Sequence, residues 1–214
     1  MNELEVGKKG IGRIAERIVA NELEFNGFSV RDLNLEGLAA NVDLLAVKNG
    51  KIWQVQVKGA RFDKTHENGW WFHYGFCKPE HITNPREPIF NRSIGSFRAD
   101  VVVLVCVKSP HEYQCIVLPI EKAEEAAQIN LNYAYRTKKK DGSGKKPGVV
   151  WMAFYVPKTS DEKKREMERE IELLKGYREK WDFDKTVAPS SFLLLQADGS
   201  DPATPPDSQP AHLT

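Results

Sequence analysis

Three polar residues in the first third of the chain have the types and spacing that metal-assisted hydrolysis of a phosphodiester requires. Asp43 begins a strand-like stretch, and Gln56 and Lys58 follow it thirteen and fifteen residues later. A carboxylate, an amide oxygen and a backbone carbonyl are the oxygen ligands that Mg²⁺ prefers, and a lysine can orient water and stabilise charge that develops on a phosphate. An exposed acid near a turn explains the same residues without any catalytic role, and spacing alone does not decide between the catalytic and the structural interpretation.

A β-hairpin around Asn49-Gly50 would bring these residues together. The Asn-Gly pair favours the positive φ angles of a tight type I′ turn, and strand-like residues flank it on both sides. In such a hairpin, residues whose numbers sum to about 99 face each other. Asp43 should therefore face Gln56, with Lys58 one step further along the same face. We predict that this face is polar and that the opposite face of the hairpin is apolar.

In order and spacing, these residues resemble the PD-(D/E)XK nuclease superfamily over roughly residues 10 to 120. That pattern has an acid at the start of one strand, Glu-x-Lys on the next strand, and a glutamate on the preceding helix. Asp43 matches the first acid and Lys58 the lysine, while Gln56 stands at the usual Glu position. The Gln-Val-Lys version is similar to that of a subset of small bacterial, phage and intron-encoded restriction-like endonucleases. By this match Glu16 is the helix acid.

The resemblance implies an α/β, restriction-endonuclease-like fold with a central mixed β-sheet flanked by helices. It further implies a metal-dependent endonuclease that hydrolyses double-stranded DNA with Mg²⁺, for which Mn²⁺ can substitute. The implied metal ligands are Asp43, Gln56, Glu16 and the backbone of Val57. A homodimer or higher homo-oligomer is expected, because cutting both strands usually requires two active sites. The alternative is a catalytically inactive module on the same fold that binds nucleic acid or a protein.

Three features of the chain depart from the superfamily pattern or compete with it. Val42 stands where a proline usually precedes the acid, and Gln56 removes a formal charge, so the metal should bind more weakly or depend more on Glu16. Glu22 lies nearer than Glu16 to the middle of the apolar stripe of the predicted helix, so Glu22 is a rival for the role of helix acid.

The remaining elements follow from hydrophobic periodicity. The pattern predicts a helix over 11–26 that ends at Gly27, and strands over 28–30, 42–47, 51–58, 70–76, 101–107 and 113–118. It also predicts a short helix over 121–128, paired strands over 131–136 and 149–156, and a charged helix over 161–181. We divide the chain into a nuclease-like core (1–120), a C-terminal extension (121–195) and a disordered tail (196–214).

A basic loop lies between the two strands predicted in the extension. Counted from Arg136 to Lys146, it carries six Lys or Arg residues against one Asp, and a solvated hairpin tip explains this as well as a DNA clamp does. The candidate DNA-binding residues are Arg136, Lys138, Lys139, Lys140, Lys145 and Lys146. The aromatic residues at 70–72 are better explained by core packing than by stacking on bases.

Composition limits the class of protein. Apolar residues make up 41% of 214 residues, which is enough for a core, and the net charge of +1 does not by itself indicate a nucleic-acid binder. The longest apolar run, 101–107, is too short to cross a bilayer, and the first ten residues lack an apolar signal segment. We therefore expect a cytoplasmic protein in which Cys106 and Cys115 are buried free thiols.

Overall fold

The computed structural model describes residues 8–33, 42–62, 69–76, 99–109, 111–136, 149–155 and 162–186. Its helices are α1 (Lys8–Phe25), α2 (Ile120–Arg136), α3 (Glu162–Lys175) and α4 (Phe183–Thr186). Its strands are β1 (Ser29–Asp32), β2 (Leu44–Lys48), β3 (Lys51–Arg61), β4 (Gly69–Phe76), β5 (Val101–Ser109), β6 (Glu112–Pro119) and β7 (Val149–Tyr155). The predicted α/β class, a mixed sheet flanked by helices, is confirmed.

Within these ranges, five strands form the central sheet in the order β1-β2-β3-β5-β6. The β3–β5 pair is parallel and the other neighbours are antiparallel. Strand β5 lies inside the sheet between β3 and β6, and its apolar residues are buried on both faces, as its continuous β-branched run predicts. Strands β4 and β7 pair separately as a two-stranded antiparallel ribbon.

Helix α1 ends where the sequence predicts. Gly27 has φ of 80°, a left-handed conformation that favours glycine. The Phe28 N–H donates to the Leu23 carbonyl at 3.0 Å, and the Gly27 N–H donates to the Glu24 carbonyl at 2.9 Å. This is a Schellman motif, and it turns the chain so that Phe28 enters the core.

The β2–β3 hairpin has the predicted turn and register. Asn49 and Gly50 have φ of 53° and 74°, as a type I′ turn requires. Leu44 pairs with Val55, so facing residues do sum to 99. The pairing places Asp43 opposite Gln56, directly beyond the last paired residues.

The hairpin face that carries Gln56 and Lys58 has the predicted polar residues, but it is largely covered and Gln56 is buried. The β4–β7 ribbon, α2 and α3 cover this side of the sheet and form a core with alternate residues of β5, such as Val102 and Leu104. Alternation within the hairpin could show which residues share a face, but it could not show that distant segments would cover the polar one. The opposite face packs against α1, as the apolar residues of the hairpin predict.

The strand predicted over 131–136 is wrong, because these residues continue helix α2. Ala123, Ala127 and Leu131 are buried on one helical stripe, and no glycine or proline interrupts the helix before its last residue. The alternation of Leu131 with two tyrosines resembles the pattern of a strand. The buried stripe that begins at Ile120 nevertheless keeps these residues in the helix. Strand β7 consequently pairs with β4 rather than with residues 131–136.

The predicted charged helix ends six residues early. Helix α3 stops at Lys175, before Gly176, and the chain then runs along the edge of β6. The Val117 N–H donates to the Tyr177 carbonyl at 2.9 Å, and the Glu179 N–H donates to the Cys115 carbonyl at 3.0 Å. Pairing with the open edge of β6 replaces the last helical turns and covers that edge. Helix α4 was not predicted from the sequence.

Other predictions fall partly or wholly outside the described residues. The basic loop over 137–147 and the tail over 196–214 are outside them, and the division into a core, an extension and a tail stays a prediction. Cys106 and Cys115 are buried free thiols, as predicted, and burial raises the pKa of Cys106 to about 12. No helix in the described ranges is long and apolar enough to span a bilayer.

Candidate active site

Asp43 is held in place at the open end of the β2–β3 hairpin. Its N–H donates to the Val55 carbonyl at 2.9 Å, and its own carbonyl accepts from the Leu33 N–H at 3.0 Å. Its carboxylate oxygen Oδ2 accepts from the Val57 N–H at 2.7 Å. The backbone of Asp43 is thus fixed from both neighbouring strands, and its carboxylate is directed at β3.

Gln56 is buried, with 3% of its surface exposed. Its side-chain oxygen Oε1 is buried and has no hydrogen-bond partner among the residues that the structure describes. Leaving such an acceptor unsatisfied costs about 1–3 kcal/mol, so the folded chain retains an amide oxygen at a position where an apolar side chain would avoid that cost. An amide oxygen opposite a carboxylate supplies the kind of oxygen ligands that a hard cation prefers.

The Val57 backbone also faces this end of the hairpin. The N–H and C=O of one strand residue point to the same side, and the Val57 N–H points toward β2, where it meets Asp43. The Val57 carbonyl therefore points in the same direction. Among the described residues, β2 pairs with β3 only as far as Val55, so this carbonyl lies beyond the paired part of the hairpin.

Lys58 is half-buried one step beyond Gln56 on the same face. Burial lowers the pKa of Lys58, and the Asp43 carboxylate partly opposes this by favouring the charged ammonium. The two side chains therefore interact electrostatically, as the predicted register requires. A partly desolvated lysine beside a carboxylate can hold an anionic group more firmly than a fully solvated lysine can.

Helix α1 places the two candidate acids, Glu16 and Glu22, differently. Glu16 follows Ala15, which packs against β3 at Gly59, the residue next to Lys58. The carboxylate of the rival Glu22 instead accepts a hydrogen bond from the Tyr113 hydroxyl at 3.0 Å. Tyr113 lies on β6, which β5 separates from the hairpin. The structure thus favours Glu16 over Glu22 by position.

Asp100 is a buried acid that the sequence analysis missed. Its carboxylate accepts from the Gln54 N–H at 2.8 Å, and its N–H donates to the Gln54 carbonyl at 2.8 Å. Its carbonyl accepts from the first N–H of α2, that of Ile120, at 3.0 Å. Asp100 therefore fixes β3 against β5 two residues before Gln56. Its position directly before a β-branched run was the available signal.

The acidic content of the site is low. Among the described residues, no group of three or more His, Cys, Asp or Glu side chains is arranged to hold a metal ion. A cation at the hairpin end would therefore depend on the amide oxygen of Gln56 and on backbone oxygen as well as on carboxylates. The side chain of Arg136 and the five candidate lysines of the basic loop lie outside the described residues, so their proposed contact with DNA stays a prediction.

Comparison with known proteins gives short sequence matches and a remote structural likeness. No protein-family model matches the chain. UPF0102 protein TW312 of Tropheryma whipplei strain TW08/27 is 42% identical over 57 residues, which is 27% of this chain and 48% of that protein. The UPF0102 protein of strain Twist is 40% identical over 57 residues, again 27% of this chain and 48% of the relative. The chain thus spans about half the length of the curated relatives that it matches.

The structure of a bacterial homing endonuclease, I-Ssp6803I, superposes with a TM-score of 0.43 at 15% sequence identity. The superposition covers 82% of this chain and 88% of that chain.

Proposed function

We propose that this protein is a metal-dependent DNA endonuclease that hydrolyses phosphodiester bonds at the end of the β2–β3 hairpin. The observation that carries the proposal is the buried, unsatisfied oxygen of Gln56, which lies opposite the fixed carboxylate of Asp43 and beside the half-buried Lys58. The match to UPF0102, a PD-(D/E)XK-like family, supports a nuclease-like fold. The choice of DNA as substrate comes from the resemblance of the motif.

The residues present fit a divalent cation with hard oxygen ligands. Asp43 would supply a carboxylate, Gln56 its orphaned amide oxygen, and Val57 its carbonyl, with Glu16 as a further acid from α1. We propose Mg²⁺ as the cofactor, with Mn²⁺ as a substitute, because Mg²⁺ is bound by few carboxylates and retains several waters. When bound, the cation neutralises phosphate charge and lowers the pKa of a coordinated water.

Lys58 has a separate role in the proposed reaction. Its ammonium can hold the attacking water and stabilise the negative charge that grows on the phosphate oxygens as the new P–O bond forms and the old one breaks. The neighbouring carboxylate of Asp43 helps to keep Lys58 protonated despite its burial. Phosphate, an anion, would favour that charged form further when it binds.

Nicking of supercoiled plasmid DNA tests the proposal. The parent protein should relax the plasmid in Mg²⁺ or Mn²⁺ and should not do so in EDTA. Asp43→Asn keeps the shape but removes the charge, so its nicking rate should fall by orders of magnitude. Lys58→Ala should lose about 2.7–4 kcal/mol of transition-state stabilisation, which is roughly a hundred- to thousandfold in rate.

DNA affinity in Ca²⁺ and thermal melting are the controls for these variants. Asp43→Asn should bind DNA as tightly as the parent or more tightly, because it removes a negative charge near phosphate. If either variant nicks plasmid at the parent rate, that residue does not belong to an active site.

The low count of acidic ligands favours one second candidate, a nucleic-acid-binding module that does not cleave. Gln56 provides no formal charge for a cation, and the described residues contain no cluster of three acidic, His or Cys side chains. A parent protein that binds DNA but never cuts it in Mg²⁺ or Mn²⁺ would establish this second function.

A further inference from the structure

Helix α1 and strand β3 come unusually close to each other at Gly59. A Cβ atom on Gly59 would lie 2.8 Å from the Ala15 Cβ, 2.9 Å from the Ile11 carbonyl oxygen and 3.1 Å from the Ile11 Cγ2. Gly59 does not have the left-handed φ that Gly27 and Gly50 have. Glycine is therefore required here for space and not for backbone conformation.

The two nearest atoms that an added methyl group would meet cannot rotate away. The Ala15 Cβ and the Ile11 carbonyl are fixed to the helix backbone, and Ala15 is fully buried. Because backbone hydrogen bonds hold α1 together, the contact can be relieved only by moving the helix away from β3. Glu16, the residue after Ala15, would move with it.

In the described part of the chain, this contact also lies beside an unpaired edge of β3. Helix α1 packs on the face that carries Val57, whereas Gln56 and Lys58 lie on the other face. Among the described residues, no strand pairs with residues 56–61 of β3 on the β2 side. A side chain from α1 can reach the hairpin end only around this open edge, so its reach depends on how closely the helix approaches.

We propose that Gly59 is a positioning residue whose missing side chain lets α1 lie close enough to β3 for Glu16 to reach the site formed by Asp43 and Gln56. The inference rests on the proposed function for the role of that site. It adds that the spacing between helix and strand determines whether Glu16 takes part.

Gly59→Ala tests the spacing directly, and Gly12→Ala is its matched control. Gly12 lies on the same helix, and a Cβ there would meet nothing within 4 Å. Calorimetric titration with Mn²⁺ in the absence of DNA should show weaker binding to Gly59→Ala and parent-like binding to Gly12→Ala. The nicking rate of Gly59→Ala in saturating Mg²⁺ should fall by on the order of a hundredfold, as expected for a displaced catalytic group, while circular dichroism stays parent-like.

A double-mutant cycle with Glu16→Gln separates positioning from general damage. If Gly59 acts through Glu16, adding Gly59→Ala to Glu16→Gln should weaken Mn²⁺ binding and nicking little further. Ala15→Gly, which removes the nearest atom that the new methyl group would meet, should partly restore Mn²⁺ binding to Gly59→Ala. Additive losses in the cycle, or Glu16→Gln with parent-like Mn²⁺ binding, would overturn the inference.

A second variant covers the case in which Gly59→Ala does not fold. Ala15→Ser enlarges the same contact by one atom from the helix side, and it should cause a smaller loss of Mn²⁺ affinity that disappears in the Glu16→Gln background. If the parent protein binds Mn²⁺ through Glu16 but never nicks DNA, the proposed endonuclease activity is contradicted. The proposed positioning role of Gly59 is then retained. Unchanged Mn²⁺ affinity in folded Gly59→Ala or Ala15→Ser would contradict the role of Gly59 alone.

Discussion

At the scale of single residues, Gln56 carries the most information about the site. The sequence predicted its position opposite Asp43 correctly, because an Asn-Gly turn and strict alternation fix the hairpin register. The sequence could not predict that Gln56 would be buried with an unsatisfied oxygen, because the segments that cover it are distant along the chain. Because residue 56 is buried, substitutions that change its charge or its shape test whether it binds the metal.

Two substitutions of Gln56 should change metal dependence in opposite directions. Gln56→Glu adds a negative charge beside the proposed cation, so the Mg²⁺ concentration for half-maximal nicking should fall about tenfold, the effect of roughly 1.4 kcal/mol of added attraction. Gln56→Leu removes the ligand and should raise that concentration at least as much. Gln128→Glu on α2 makes the same chemical change away from the hairpin and should have no effect. If both Gln56 variants match the parent, residue 56 does not contact the metal.

Lys58 should make the stability of the fold depend on pH. Burial lowers its pKa in the folded state below the usual 10.5, so between the folded value and 10.5 the unfolded chain binds more protons and stability rises with pH. Below the folded pKa, the buried charge is a constant cost. Lys58→Met removes that cost, so its melting temperature should exceed the parent's at pH 7, and the gain should shrink as pH rises toward 10.5.

Lys51→Met is the matched control for this pH series. Lys51 is an exposed lysine of the same strand, in a surface ion pair with Asp184 at 2.6 Å. Its removal should cost up to about 1 kcal/mol at pH 7 and should give no gain in melting temperature. A gain for Lys58→Met that grows with pH would show that the lysine is not the group whose burial opposes folding.

At the scale of elements, periodicity predicted those whose partners are close in sequence. Helix α1 with its Gly27 terminus and the β2–β3 hairpin were predicted closely because each depends on local signals. The C-terminal ends of α2 and α3 were not predicted, because contacts with strands that are distant in sequence determine where these two helices end. Residues 131–136 continue helix α2, whose buried stripe includes Leu131, and the chain after Lys175 leaves its helix to pair with β6.

The basic loop between α2 and β7 is expected to add affinity for DNA without sequence specificity. Changing Lys138, Lys139 and Lys140 to Ala removes up to three charges that can bind phosphate, so the slope of log K against log salt should become shallower by roughly 0.9 for each phosphate that is no longer neutralised. The matched control changes three exposed lysines of the C-terminal region, Lys175, Lys180 and Lys185, to Ala. An equal change of slope in both triple variants would mean that the loop contributes only net charge.

At the scale of the whole molecule, the chain after α3 joins the two cores that lie on opposite faces of the sheet. Residues 171 and 174 of α3 pack in the core beneath α2, whereas Trp181 and Phe183 pack in the core beneath α1. Between them, the Glu179 carboxylate accepts from the Cys115 N–H at 2.6 Å and from the Trp181 indole N–H at 3.1 Å. The chain thus passes around the β6 edge and is held there by hydrogen bonds.

Phe183 completes an aromatic cluster with residues from the first quarter of the chain. Its ring centroid lies 4.8 Å from that of Phe28 and 5.7 Å from that of Trp53, and all three side chains are buried. The end of the described chain is therefore part of the core that supports the β2–β3 hairpin.

Two changes near the C-terminus should consequently have opposite outcomes. Phe183→Ala should destabilise the fold by about 3–5 kcal/mol because it empties a large buried volume, which lowers the melting temperature by on the order of 10 °C.

Truncation after Leu195 removes a segment with four prolines, three aspartates and no lysine or arginine, a composition that cannot build a core. The truncated protein should melt at the parent temperature and bind DNA as tightly or more tightly, since the removed residues carry only negative charge. A drop of several degrees on truncation would show that the tail packs on the body, and a parent-like Phe183→Ala would show that the aromatic cluster does not stabilise the core.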